Sequence, residues 1–105
     1  MTLEDAQREV HKYVSQFKMG YWAPLSNLAR LIEEVGELAR ELNHLYGNKS
    51  KKPTEGEGHI ADEIGDILFT LICIANSEDI DLTTSLKGVI DKYNHRDRDR
   101  WDPVE

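Results

Sequence analysis

An all-α fold is what this sequence predicts, and three observations support it. Apolar residues recur at steps of three and four along Leu3 to Phe17 and again along Leu28 to Leu45, the spacing of one helix face. No stretch gives a convincing strand, the half-buried kind being marked by alternating apolar and polar residues. The longest apolar run, Ile67 to Ala75 with Thr70 inside it, continues an amphipathic helical pattern and reads as a helix covered on all sides. A strand, the alternative for so short a run, fits poorly with the helical approach to it.

Thr2 followed by Asp5 is a capping-box signature for a first helix, with Leu3, Ala6, Val10, Tyr13, Val14 and Phe17 at helical spacing. Gly20 and Pro24 are expected to end that segment, with Tyr21 and Trp22 between them. Ser26 or Asn27 is expected to cap the second helix. Its positions Leu28, Leu31, Val35, Leu38, Leu42 and Leu45 form a seam like that of a coiled coil, and Tyr46 and Gly47 close it. GNKSKKPTEGEG, residues 47–58, is all turn-formers and charge and is expected to be a flexible loop. A third helix runs from about His59 to Asn76. Asp79 or Asp81 caps a fourth, with Leu82, Leu86, Val89, Ile90 and Tyr93 on one face. The alternating charges of DKYNHRDRDRW follow, and Pro103 marks the exit. The expected architecture is a four-helix, bundle-like arrangement in one domain over residues 1–105, with a C-terminal tail at 97–105.

Size and charge narrow the function. A 105-residue domain buries only about 60–65% of its unfolded surface. A helix apolar on every side is therefore expected to find its cover in a second copy of the chain. The net charge of −7 argues against a nucleic-acid polymer as partner, since phosphate backbones are bound by clustered cations. It leaves room for a small phosphorylated ligand bridged to carboxylates by divalent metals. Cys73 is the single cysteine, so no intramolecular disulfide forms, and it reads as a buried thiol in a reducing compartment. MTLEDAQREV lacks the blocks of a signal peptide, and no apolar run is long enough to span a bilayer. The expectation is a cytoplasmic protein with no membrane partner.

The acids of LIEEVGELARELN, residues 31–43, raise the question of chemistry. Glu33 and Glu37 are four apart, a spacing that costs an isolated helix about 0.2–0.5 kcal/mol between like charges. Either the face is simply solvated, as a chain with 20 acids allows, or a cation sits there. Glu34 and Glu37 are three apart and can point at one spot, and Glu63 and Asp66 repeat that spacing in the third helix. Asp66 shares its face with Phe69 and Cys73, and a carboxylate over apolar surface needs a cation or a donor. If the two helices pack side by side, four carboxylates converge as in metal-binding bundles. Such an all-oxygen set suits Mg²⁺ or Mn²⁺ rather than zinc or copper.

The combined pattern, Glu33-Glu34-x-x-Glu37, then 25 residues, then Glu63-x-x-Asp66, resembles the signature of the MazG-like all-α nucleoside triphosphate pyrophosphohydrolases. GYWAPLSNLARLIEEVGELARELNH and DEIGDILFTLICIAN are similar to the two core helices of its small stand-alone bacterial members. Lys92-Tyr93-x-x-Arg96 is similar to the basic, aromatic motif that follows, and the likeness covers roughly residues 10–101. The resemblance implies hydrolysis of a nucleoside triphosphate between the α and β phosphates, giving a monophosphate and pyrophosphate. It implies Glu34, Glu37, Glu63 and Asp66 as Mg²⁺ ligands. Glu33 would be a secondary ligand or would orient the attacking water, and Lys92 and Arg96 would contact the triphosphate beside Tyr93. It also implies homodimers or homotetramers with each site at a subunit interface, and house-cleaning of non-standard or surplus nucleotides.

Other positions stay open. Tyr21 and Trp22 either stack on a nucleobase, whose face any aromatic ring accepts, or fix the turn as core aromatics. His44 and His59 either touch substrate or are exposed. The rival function is a non-catalytic helical interaction module, which would share the leucine seam but has no use for Glu34, Glu37, Glu63, Asp66, Lys92 and Arg96 together. Within enzymes the rivals are a pyrimidine triphosphatase and a phosphoribosyl-ATP pyrophosphohydrolase.

Overall fold

A computed structural model describes residues 1–47, 52 and 59–105. Apart from Gly47 and Lys52, the loop expected over 47–58 lies outside the described residues. Four α-helices account for the regular structure, α1 (Leu3–Val14), α2 (Pro24–Tyr46), α3 (Ile60–Ser77) and α4 (Leu82–Arg96), with no strand among the described residues.

Local chemistry sets the helix ends. The Thr2 hydroxyl accepts from the Asp5 amide and the Asp5 carboxylate accepts from the Thr2 amide, both at 3.0 Å, so the capping box forms as expected. α1 stops at Val14, before Phe17, in a turn that closes at Gly20. Gly20 has φ +63°, a left-handed conformation that a Cβ disfavours. Pro24 opens α2 instead of only ending the segment before it, and Ala23, not Ser26 or Asn27, is the N-cap. Proline suits that place because its φ is already helical and its missing N–H would have had no helical acceptor. At the end of α3, the Ile80 amide donates to the Ala75 carbonyl and the Asp79 amide to the Asn76 carbonyl. This is a Schellman closure with Asp79 in the left-handed place, at φ +55°. Asp79 therefore ends α3, and Asp81 is the N-cap of α4.

The principal packing runs α2 on α3, α3 on α1 and α1 on α4. The four helices thus form an open chain of contacts rather than a closed bundle. The buried core lies between α1 and α3, where Val10, Ile72 and Cys73 meet, with Ala6, Val14, Tyr21, Phe69 and Leu82 packed against them.

The leucine seam of α2 does not turn inward as a unit. Asn27 is buried, and Arg30, Leu31, Glu34 and Leu38 are half-buried. Leu28 and Val35 remain 46% and 47% exposed and Ile32 63%. The stripe that meets α3 is thus part polar, and the more apolar stripe beside it faces outward. The run from Ile67 to Ala75 is likewise covered on one side only, since Thr70, Ile72, Cys73 and Ala75 are buried while Leu68 stays 49% exposed. The chain exposes 8548 Å², against about 6,000 Å² for a compact monomer of its mass. Its radius of gyration is 17.5 Å, against about 13 Å. No helix among the described residues is long and apolar enough to cross a membrane.

A polar network ties the remaining elements together. The Gln7 amide nitrogen donates to the Asn76 side-chain oxygen at 2.9 Å and to the Ile80 carbonyl at 2.8 Å. The Gln7 side-chain oxygen accepts from the Leu82 amide at 2.9 Å, which satisfies a free donor at the start of α4. Asn76 in turn donates to the Gln7 carbonyl and to the Tyr21 hydroxyl. Gln7→Ala removes three of these bonds and leaves partly buried partners unmatched, so it is expected to cost about 2 kcal/mol in urea denaturation. A loss under about 0.5 kcal/mol would mean that water replaces the side chain.

Candidate functional site

Packing of α2 on α3 brings three glutamates together. Glu34 and Glu37 lie one turn apart on α2, and Glu63 lies in the first turn of α3. One carboxylate oxygen from each lies within 4.8 Å of the other two. Around Mg²⁺, with oxygens at about 2.1 Å, neighbouring ligands are about 3 Å apart and opposite ones about 4.2 Å. Small side-chain rotations close that gap.

The electrostatics show what the cluster lacks. Burial, then the Glu37 charge and a hydrogen bond with Glu37, push Glu63 above its ordinary value, and Asp66 and Glu34 add to this. Glu34 is also pushed up, by burial first, then by Glu37 and Asp66, and slightly by Glu33. Arg30 is the cation that acts on Glu34 in the opposite direction. The Oε2 atoms of Glu34 and Glu63 are buried with no hydrogen-bond partner. An unpartnered buried carboxylate oxygen is costly, and like charges held together make it more so. Orphaned oxygens in an all-oxygen donor set fit a hard divalent cation such as Mg²⁺ or Mn²⁺.

Asp66 lies one turn beyond Glu63, exposed and outside the three-oxygen group, and its charge reaches both Glu34 and Glu63. Glu33 is exposed and reaches the cluster through its charge on Glu34. The basic motif of α4 stands apart from these acids. Lys92 and Arg96 lie 5.3 Å and 4.5 Å from the centroid of the Tyr93 ring, and Arg96 donates to the Asp97 carboxylate at 2.9 Å. α4 packs chiefly on α1, and neither cation is among the leading influences on Glu34 or Glu63. Of the two histidines left open, His59 is exposed at the N-cap of α3, and His44 is half-buried on α2.

Trp22 stands at a cavity of about 350 Å³ with walls that include Tyr13, Phe17, Tyr21, Arg30 and Phe69, within the size range of small-ligand sites. The Tyr21 hydroxyl is bonded to Asn76 at 3.0 Å and His11 at 2.8 Å, which holds its ring as a fixed wall. Arg30 joins cavity to carboxylates, lining the one and acting on Glu34 of the other. The sequence reading passed over Arg30. Its one signal was a place one turn before Glu34, where an ordinary ion pair is the default expectation.

The chain is similar to a known family and to solved structures. Residues 23–101 match the family model of the MazG nucleotide pyrophosphohydrolase domain. The chain is 55% identical over 100 residues to YpjD of Bacillus subtilis (strain 168), covering 95% of this chain and 90% of that protein. It is similar to a crystal structure of Bacillus subtilis YpjD, with TM-score 0.81 and 53% identity over 90% of this chain and 96% of that one. It is also similar to the Bacillus-conserved MazG protein, a nucleotide pyrophosphohydrolase, with TM-score 0.79 and 49% identity over 94% and 96%.

The raised carboxylates make a stability prediction with a definite sign. Above the ordinary glutamate range, the folded chain holds protons at Glu34 and Glu63 that the unfolded chain has released. Their contribution to stability therefore falls as pH rises through the raised values. Glu63→Gln mimics the protonated carboxyl. In EDTA it is expected to melt at a higher temperature than the wild type near about pH 7, with the gap closing below about pH 4. A variant no more stable than wild type at neutral pH would contradict a strained cluster.

Proposed function

The chain belongs to the MazG nucleotide pyrophosphohydrolase family and is a hydrolase of phosphoric anhydrides, and we propose that it cleaves the α–β bridge of a nucleoside triphosphate with Mg²⁺. The products are a nucleoside monophosphate and pyrophosphate. The observation behind this reading is the group of Glu34, Glu37 and Glu63, with orphaned oxygens, beside an aromatic cavity.

Glu34, Glu37 and Glu63 would hold Mg²⁺, or Mn²⁺ in its place, with Asp66 as the fourth ligand. An ion held there would supply charge to offset the phosphates and would acidify a bound water. Glu33, exposed beside the cluster, orients the attacking water. The water oxygen bonds to one phosphorus of the bridge, and the bridging oxygen leaves with the other. Trp22 offers a ring face to the base. Lys92 and Arg96, both stacked on Tyr93, hold the phosphates.

Those two cations stand on a helix whose principal contact is α1 rather than the carboxylate-bearing α2 and α3, so they would serve a site completed by a second copy. The outward apolar residues Leu28, Ile32, Val35 and Leu68 support a homodimer or homotetramer in which that completion occurs. The role is house-cleaning of non-standard or surplus nucleotides in the cytoplasm.

Product analysis tests the reaction. A panel of standard and modified nucleoside triphosphates, separated by ion exchange after incubation, is expected to yield monophosphate and pyrophosphate with Mg²⁺ and neither after chelation. Glu37→Gln and Asp66→Asn are each expected to lower turnover by about 100-fold or more while helicity is retained. Normal turnover in either would remove the four-carboxylate model. For the assembly, Ile32→Asp places a charge on the outward face of α2 and is expected to sediment as single helical chains with little turnover. An unchanged sedimentation profile would exclude that face from the interface.

A further inference from the structure

We propose that Arg30 is a substrate-binding residue that clamps the phosphate nearest the sugar, turning from its present place over two aromatic rings when a base enters the cavity. The inference rests on the nucleotide reading above and adds a residue and an order of contacts to it.

Arg30 lines the cavity on the same helix as the carboxylates, one turn before Glu34. Its guanidinium carbon lies 5.4 Å from the Trp22 ring centroid and 5.7 Å from that of Phe69. Beyond these ring contacts it acts through its charge on Glu34 and Cys73, and no hydrogen bond or ion pair to a described residue holds it. An arginine four residues before a glutamate would ordinarily pair with it. Here the half-buried side chain has no acceptor for its five N–H donors among the described residues, a costly state unless a ligand or water supplies one.

The position selects the ligand group. Arg30 lines the cavity and lies within electrostatic reach of Glu34, so with a base in the cavity and the phosphates directed toward the carboxylates, the first phosphate after the sugar would come beside it. A guanidinium matches a phosphate with two parallel N–H···O bonds, which are about twice as strong as neutral ones. Turning onto the phosphate also uncovers the Trp22 face for the base. Base and phosphate binding are thereby coupled. A nucleoside must displace the arginine without offering it an acceptor, whereas a nucleoside monophosphate offers one.

The test compares equilibrium binding of adenosine with AMP, and of deoxycytidine with dCMP, in EDTA, for wild type, Arg30→Met and Arg30→Lys. Helicity is checked for each. Wild type is expected to prefer the monophosphate by about 10- to 100-fold. Arg30→Met, which keeps the stem against the rings, is expected to lose that preference while binding the nucleoside as well as wild type or better. Arg30→Lys keeps the charge without the fork and is expected to fall between. A preference that survives in Arg30→Met overturns the proposal. Loss of nucleoside and monophosphate binding together overturns it too, because Arg30 would then only shape the cavity. So does a wild type with no preference. Turnover assayed in parallel separates the two readings. Wild-type and Arg30→Met activity that are equal sink the clamp alone, whereas no turnover of any triphosphate by wild type sinks the nucleotide reading itself.

Discussion

Like charges pressed together between two packed helices are the constraint on which this structure depends. Glu34 and Glu37 on α2 face Glu63 on α3, and burial and mutual repulsion push Glu34 and Glu63 toward their protonated forms. Repulsion of that kind opposes the very contact that creates it. The offset comes from the other half of α3. Ile72 and Cys73 join Val10 of α1 in the core, and Asn76 is bonded to Gln7 and Tyr21. The C-terminal half of α3 is the anchor and the N-terminal half holds the strained acids. Glu63 also lies in the first turn of its helix, where the helix dipole favours a negative charge.

The same division explains the odd orientation of α2. Its stripe toward α3 is spent on Asn27, Arg30 and Glu34 as well as Leu31 and Leu38. The adjacent leucine, isoleucine and valine side chains are left outside. A helix that must present carboxylates to one neighbour and apolar surface to another can do both only on separate faces. These outward side chains are part of the surface exposed beyond that of a compact monomer. α4 packs chiefly on α1, and the leading influences on the clustered acids include Arg30 but neither Lys92 nor Arg96.

The cavity belongs to this scheme rather than standing beside it. Its floor and walls come from the turn after α1, where Gly20 closes the backbone and Phe17 and Trp22 come together. Phe69 and Cys73 of α3 complete it. Arg30 is the physical link, in contact with the rings on one side and within electrostatic reach of Glu34 on the other. An aromatic hollow and a set of oxygen donors thus share one wall, with a guanidinium in it.

The four helices, the capping box at Thr2 and the acids three apart were all legible in the sequence, because each depends on contacts within a few residues. Periodicity, cap chemistry and i,i+3 spacing act locally, although α1 stops before the periodic Phe17. Pro24 misled because proline both ends a helix and opens one, and only the neighbouring backbone distinguishes the two. The seam at Leu28, Val35 and Leu42 was legible as a seam, but not the direction in which it faces. That direction was decided by the rotation of α2 against α3, which no spacing specifies. Arg30 was invisible for the same reason, since its partners Trp22 and Phe69 come from a turn and from another helix. By itself the sequence determined which residues are helical and which acids can share a face. Only the tertiary structure decided which faces meet, because long-range packing, not local propensity, sets the rotation of each helix about its axis.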